Sequence, residues 1–88
     1  MDLFEVILKS SVEKDFRALP KNILIKILSA IENLAQEPFP NRTSKLEGTE
    51  QTYRIRVGDY RIVYEVDRTQ KIVNILYVRH RREVYRKF

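Results

Sequence analysis

The chain has 88 residues, 17 Lys/Arg against 12 Asp/Glu, and no cysteine. That length suits one domain with a modest core, and the lack of cysteine excludes disulfide staples and thiolate metal sites. Met1-Asp2 does not open on the basic stretch and apolar run of a secretory signal, and no apolar run approaches the ~18 residues of a membrane span, so a cytoplasmic protein is expected.

The net charge of +5 is unevenly spread. Residues 1–50 carry 7 Lys/Arg against 8 Asp/Glu, and residues 51–88 carry 10 against 4. The excess is mostly arginine: Arg54, Arg56, Arg61, Arg68, Arg79, Arg81, Arg82 and Arg86. The planar guanidinium fork matches phosphate oxygens. Such an asymmetry points to a polyanion such as RNA, or to a solvated surface that keeps the protein soluble.

In chain order, Leu3 to Leu8 reads as a short strand. Ser10-Ser11-Val12-Glu13 fits a capping box, with Ser10 as N-cap. Val12, Phe16 and Leu19 then form one helical stripe, which Pro20 stops. A second helix is expected over 21–36, burying Leu24, Ile27, Leu28, Ile31, Leu34 and Ala35. Pro38 to Asn41 ends it. The period then changes to two. Tyr53 to Val57 alternates, Gly58-Asp59 marks a turn, and Tyr60 to Val66 and Ile72 to Val78 are further strands. Residues 81–86 suit a short closing helix. The expected fold is α+β in the order β-α-α-β-β-β, with a helical hairpin packed on an antiparallel sheet, in one domain over 1–88.

A tight turn at Gly58-Asp59 would set Val57 opposite Tyr60, Arg56 opposite Arg61 and Ile55 opposite Ile62. Tyr53, Ile55, Val57, Tyr60, Ile62 and Tyr64 then share an apolar face, and Arg54, Arg56 and Arg61 share the other. A one-residue slip would reverse the faces. Like charges directly across a strand pair destabilise it by up to ~1 kcal/mol. An anion gripped by both arginines would offset that cost, as would Glu65, Asp59 or water. The third strand is apolar on both faces and resists orientation, but Arg79-His80-Arg81-Arg82 after it would lie beside the hairpin.

Arginines of this kind can stabilise charge on a phosphate during RNA cleavage by the RNA's own 2′-hydroxyl, a reaction that needs no metal. A tyrosine can stack on an exposed base, and Tyr85 is available for that or for packing on the sheet. His80, the only histidine, is a candidate acid–base group or a structural residue. One histidine without cysteine offers no metal ligand set, and two glycines make no phosphate loop. No cofactor is expected.

The run from Tyr53 to Val66, with Val78-Arg79-His80-Arg81-Arg82-Glu83-Val84-Tyr85, resembles the RelE/ParE superfamily of toxins from prokaryotic type II toxin–antitoxin modules. The likeness covers nearly the whole chain, including Lys45-Leu46-Glu47-Gly48 after the helical hairpin. It implies a ribosome-dependent endoribonuclease that cuts mRNA in the ribosomal A site if the chain follows RelE. It implies a DNA gyrase inhibitor if the chain follows ParE; a non-catalytic nucleic-acid-binding relative is the third possibility. The RelE-like branch implies that Arg61 and Arg79 stabilise the scissile phosphate or assist the leaving group, and that Arg54 and Arg56 match a basic pair on one strand, one of which activates the 2′-hydroxyl. It also implies base stacking by Tyr85, with Arg81, Arg82 and His80 as further substrate contacts. Tyr85 together with all four arginines favours that branch. Arg54 and Arg56 stand where RelE proper carries lysines, and arginine hardly gives up its proton. The general base is therefore open, either His80 or another group. The likeness also implies a cognate antitoxin, the ribosome and mRNA as partners, with no membrane and no metal.

Overall fold

The computed structural model describes residues 3–40, 43–45 and 51–80. Their order is β1 (Glu5–Leu8), α1 (Ser10–Arg17), α2 (Lys21–Gln36), β2 (Ser44–Lys45), β3 (Thr52–Val57), β4 (Tyr60–Asp67) and β5 (Ile72–His80). The five strands form one sheet in the order β1-β5-β4-β3-β2. The expected α+β order is present, with β2 as an addition that its two residues do not announce.

The sheet is mixed. β2, β3, β4 and β5 pair antiparallel, but β1 lies parallel to β5, with Val6 beside Val73 and Leu8 beside Ile75. Alternation within a strand cannot name its partner, and here the first strand pairs with the last. One face of the sheet takes both helices. Val12 from α1 and Ile27, Ile31 and Leu34 from α2 pack with Ile55, Ile62, Tyr64, Val66, Val73, Ile75 and Val78.

Two details of the helices differ from expectation. Ser10 is the first helical residue, not the N-cap; Lys9 holds that position in extended conformation, with no side-chain cap. The cause is the sheet: the Lys9 N–H donates to the Ile75 carbonyl at 3.1 Å, which keeps Lys9 extended beside β5 and starts the helix directly after it. On α2, whose bounds are as expected, Leu28 is 40% exposed. The buried stripe follows Ile23, Ile27, Ala30, Ile31 and Leu34, and Leu28 lies a full 100° round from Ile27. Pro20, extended, caps the start of α2.

After α2 the chain is pinned by a buried tyrosine. The Tyr64 hydroxyl donates to the Pro38 carbonyl at 2.8 Å and lies 3.0 Å from the Thr43 hydroxyl. Phe39, Tyr53 and Tyr64 form an aromatic column, with the Arg68 guanidinium 4.6 Å from the Phe39 ring centre. This column delivers Ser44 to its place beside Arg54. The expected helix over 81–86 lies outside the described residues.

Candidate functional site: an arginine row on the open face of the sheet

The hairpin register is the one expected. Gly58 at the turn has a φ of +61°, a conformation that glycine adopts without the usual Cβ penalty. Val57 faces Tyr60, Arg56 faces Arg61 and Ile55 faces Ile62. Side chains directly opposite across a strand pair share a face, so Arg56 and Arg61 point together away from the helices.

Arg79 joins them through an irregularity in β5. Val63 pairs with Tyr77 and Tyr64 with Ile75, so Leu76 is an extra residue, a β-bulge. Before it, Val73 and Ile75 face the helices; after it, Val78 does, although the spacing has changed from even to odd. Without the bulge, Tyr77 and Arg79 would enter the core and Val78 would leave it. With it, Arg79 stands opposite Arg61 on the open face. The bulge is also why this strand looks apolar on both faces in sequence: its two halves have opposite phase.

The result is a cross-strand row, Arg56–Arg61–Arg79, over β3, β4 and β5. The next row is Ser44–Arg54–Val63–Tyr77. Arg61, in the middle, is only 8% exposed. Val63 is 1% exposed although it lies on the face without helices, between Arg54 and Tyr77. A cavity of about 270 Å³ is lined by Ser44, Arg54, Ile55, Arg56 and Arg61. The Arg56 Nε donates to the Gly58 carbonyl at 3.0 Å, which draws this side chain towards the turn.

Arg79 is held from the side. α1 lies along β5 beyond the end of β1, and its Asp15 uses both carboxylate oxygens there. Oδ2 accepts the Val78 N–H at 3.0 Å, and Oδ1 accepts the Arg79 Nε–H at 3.3 Å. Ser11 of the same helix donates to the Leu76 carbonyl at 3.3 Å. The Arg79 guanidinium also lies 5.4 Å from the Tyr77 ring centre. Burial raises the Tyr77 phenol above its ordinary value of 10.0, an effect that the Arg79 charge partly opposes. Tyr77 therefore stays protonated at neutral pH.

Of the residues singled out in sequence, the structure gathers Arg54, Arg56, Arg61 and Arg79 on one face. His80 is not among them. It pairs with Tyr60 on the helix-facing side, its ring edge-on to the Tyr60 ring at 5.2 Å. The strand runs through Arg79 and His80, not only to Val78, so His80 must point opposite to Arg79. Arg81, Arg82 and Tyr85 lie outside the described residues. Sequence reasoning passed over Asp15 and Tyr77. Nothing local marks Asp15, whose partners lie more than 60 positions away, and Tyr77 changes face only because of the bulge. Among the described residues no cluster of three or more His, Asp or Glu could hold a metal ion, and no helix is long and apolar enough to cross a membrane.

The chain matches the family model for the ParE toxin of the type II toxin–antitoxin system parDE over residues 6–85. It is 31% identical to the putative toxin RelE1 of Methanocaldococcus jannaschii over 86 residues, 94% of this chain and 96% of that one. It is 30% identical to toxin RelG of Mycobacterium tuberculosis, covering 89% of this chain and 91% of that one. Its fold superposes on the archaeal RelE–RelB complex from Pyrococcus horikoshii with a TM-score of 0.80 at 35% identity, covering 92% and 97% of the two chains. Sequence and fold agree, and the chain belongs to the RelE/ParE family of toxins from type II toxin–antitoxin systems.

Proposed function

We propose that this toxin is a ribosome-dependent endoribonuclease that cleaves mRNA in the ribosomal A site and so arrests translation. The observation that carries the reading is the Arg56–Arg61–Arg79 row, a line of three cations across three strands with its middle member almost fully buried. Like charges so placed repel, and a phosphate that bridges them removes the repulsion. In a 2′-hydroxyl attack the scissile phosphate gains negative charge as it becomes pentacoordinate. Arg61 and Arg79 stabilise that charge, and the fixed sheet spares them reorganisation. Arg54 and Arg56, beside the cavity, hold the flanking backbone; Arg81 and Arg82 extend the basic track, and Tyr85 stacks on a base. The arginines keep their protons, and His80 faces the other way. The 2′-hydroxyl proton therefore leaves to a group outside the row, and the reaction so read requires no metal.

The chain acts in the cytoplasm and is held inactive by a cognate antitoxin. The RelE–RelB complexes among its structural relatives support that partner. A second reading is favoured by the family model's own description, a ParE toxin: inhibition of DNA gyrase by binding alone. Expression in bacteria with mapping of mRNA 5′ ends separates the two. The ribonuclease reading expects cuts within translated codons that disappear in Arg61→Ala while the variant stays folded. An intact mRNA pool with DNA-damage signalling would overturn it in favour of gyrase.

A further inference from the structure

Asp15 lies on a different element from the arginines and is not needed to hold a phosphate, yet its carboxylate bridges two donors of β5. The Val78 N–H closes the strand edge that β1 leaves uncovered. The Arg79 bond is of another kind. It takes Nε, the nitrogen nearest the chain, rather than the two terminal nitrogens. An arginine anchored through Nε has its guanidinium plane fixed, here beside the Tyr77 ring. A carboxylate gripped by the terminal pair would instead occupy the fork that a phosphate needs.

We propose that Asp15 is the positioning residue of Arg79: it holds the guanidinium by Nε so that the terminal fork faces the RNA phosphate. This rests on the anion-site reading of the arginine row. It makes α1 part of the working site, although α1 contributes no residue that meets RNA.

The test turns on the sign of the effect. Asp15→Asn adds one unit of positive charge, so a purely electrostatic role predicts tighter RNA binding. Positioning predicts the reverse. The asparagine carbonyl keeps the shorter bond to the Val78 N–H, and its amide turns a donor towards the Arg79 Nε–H and releases it. Two readouts are used: affinity for a fully 2′-O-methylated, uncleavable single-stranded RNA, and the rate of mRNA cleavage on programmed ribosomes. Asp15→Asn should weaken the first several-fold and lower kcat of the second about tenfold, the scale of a displaced reacting group. In an Arg79→Ala background it should change neither. In an Arg79→Lys background it should help, because the single ammonium that Asp15 would otherwise capture is freed for the RNA.

A merely structural Asp15 would harm all three backgrounds alike, and that result overturns the proposal, as does tighter binding by Asp15→Asn in the unmodified chain. If the wild-type protein binds RNA but cuts nothing, the ribonuclease reading falls and the affinity measurements still decide on Asp15. If it binds no RNA, both fall. Should Asp15→Asn fail to fold, Arg79→Lys against Arg79→Ala decides: with Asp15 present the two bind RNA equally weakly, and a lysine variant that binds like wild type overturns the proposal.

Discussion

The arginine row makes a thermodynamic claim that can be checked without the ribosome, by exchanging chloride for a multivalent oxyanion at constant ionic strength. Two like-charge pairs lie directly across strands, Arg56 with Arg61 and Arg61 with Arg79. Each costs up to ~1 kcal/mol. A sulfate or phosphate bridging the row offsets most of that, so saturation should stabilise the fold by about 1–2 kcal/mol. For a domain of this size each kcal/mol moves the melting temperature by about 4–8 °C, giving a rise of roughly 4–16 °C. The assay is thermal unfolding followed by circular dichroism, in potassium phosphate or sulfate against potassium chloride of equal ionic strength. Sulfate also stabilises proteins generally, by exclusion from their surface. The decisive comparison is therefore Arg61→Ala, which should retain only the general increment. Equal responses of wild type and Arg61→Ala would refute the row as an anion site.

Substitutions at three further positions have expected outcomes. Tyr64→Phe leaves the buried Pro38 carbonyl without its donor and should cost about 1–3 kcal/mol in urea unfolding with an unchanged m-value. Because burial holds the Tyr64 phenol above its ordinary 10.0 in the folded state, wild-type stability is fully present below pH 10 and falls as pH rises further; Tyr64→Phe should flatten that alkaline decline in a pH series of melts. Gly58→Ala meets nothing within 4 Å of its new Cβ, so only the positive φ matters; it should cost about 1–2 kcal/mol, and Gly58→Asn less, in the same urea assay. His80→Gln should leave the pH profile of mRNA cleavage unchanged, because His80 faces away from the arginine row; a profile that loses its neutral limb would make His80 the proton acceptor after all.

How much of this was legible in the sequence differs from element to element. The bounds of α2 and the register of the β3–β4 hairpin follow from local pattern, since a 3.6-residue stripe and a Gly-Asp turn are short-range signals. Local pattern alone thus puts Arg54, Arg56 and Arg61 on one face. It does not place Arg79. That position depends on the Leu76 bulge, and a bulge is a relation between two strands: the run Ile72 to Val78 is compatible with either phase until β4 is laid beside it. The parallel pairing of β1 with β5 escapes a local reading for the same reason. Ser10 shows the opposite failure, a local signal overridden at a distance. Its capping box is intact in sequence, but with the sheet bond from Lys9 to Ile75 the helix starts one residue earlier.

The same long-range devices explain why the site has the chemistry it has. The hairpin turn aligns Arg56 with Arg61, the bulge brings Arg79 across, and α1 fixes Arg79 from the side; all three act on charge and orientation. The described site pairs these permanent cations with Tyr77, whose raised pKa keeps it a proton donor and makes it a poor proton acceptor near neutrality. Under the ribonuclease reading, these arginines bind the phosphodiester and stabilise its more negative transition state, and neither they nor Tyr77 take the 2′-hydroxyl proton. Dependence on the ribosome is what that reading then expects. Positioning the mRNA for in-line attack and accepting its proton are the two functions that arginines on a rigid sheet cannot supply, and both are available from a surface that already holds the codon in a fixed conformation.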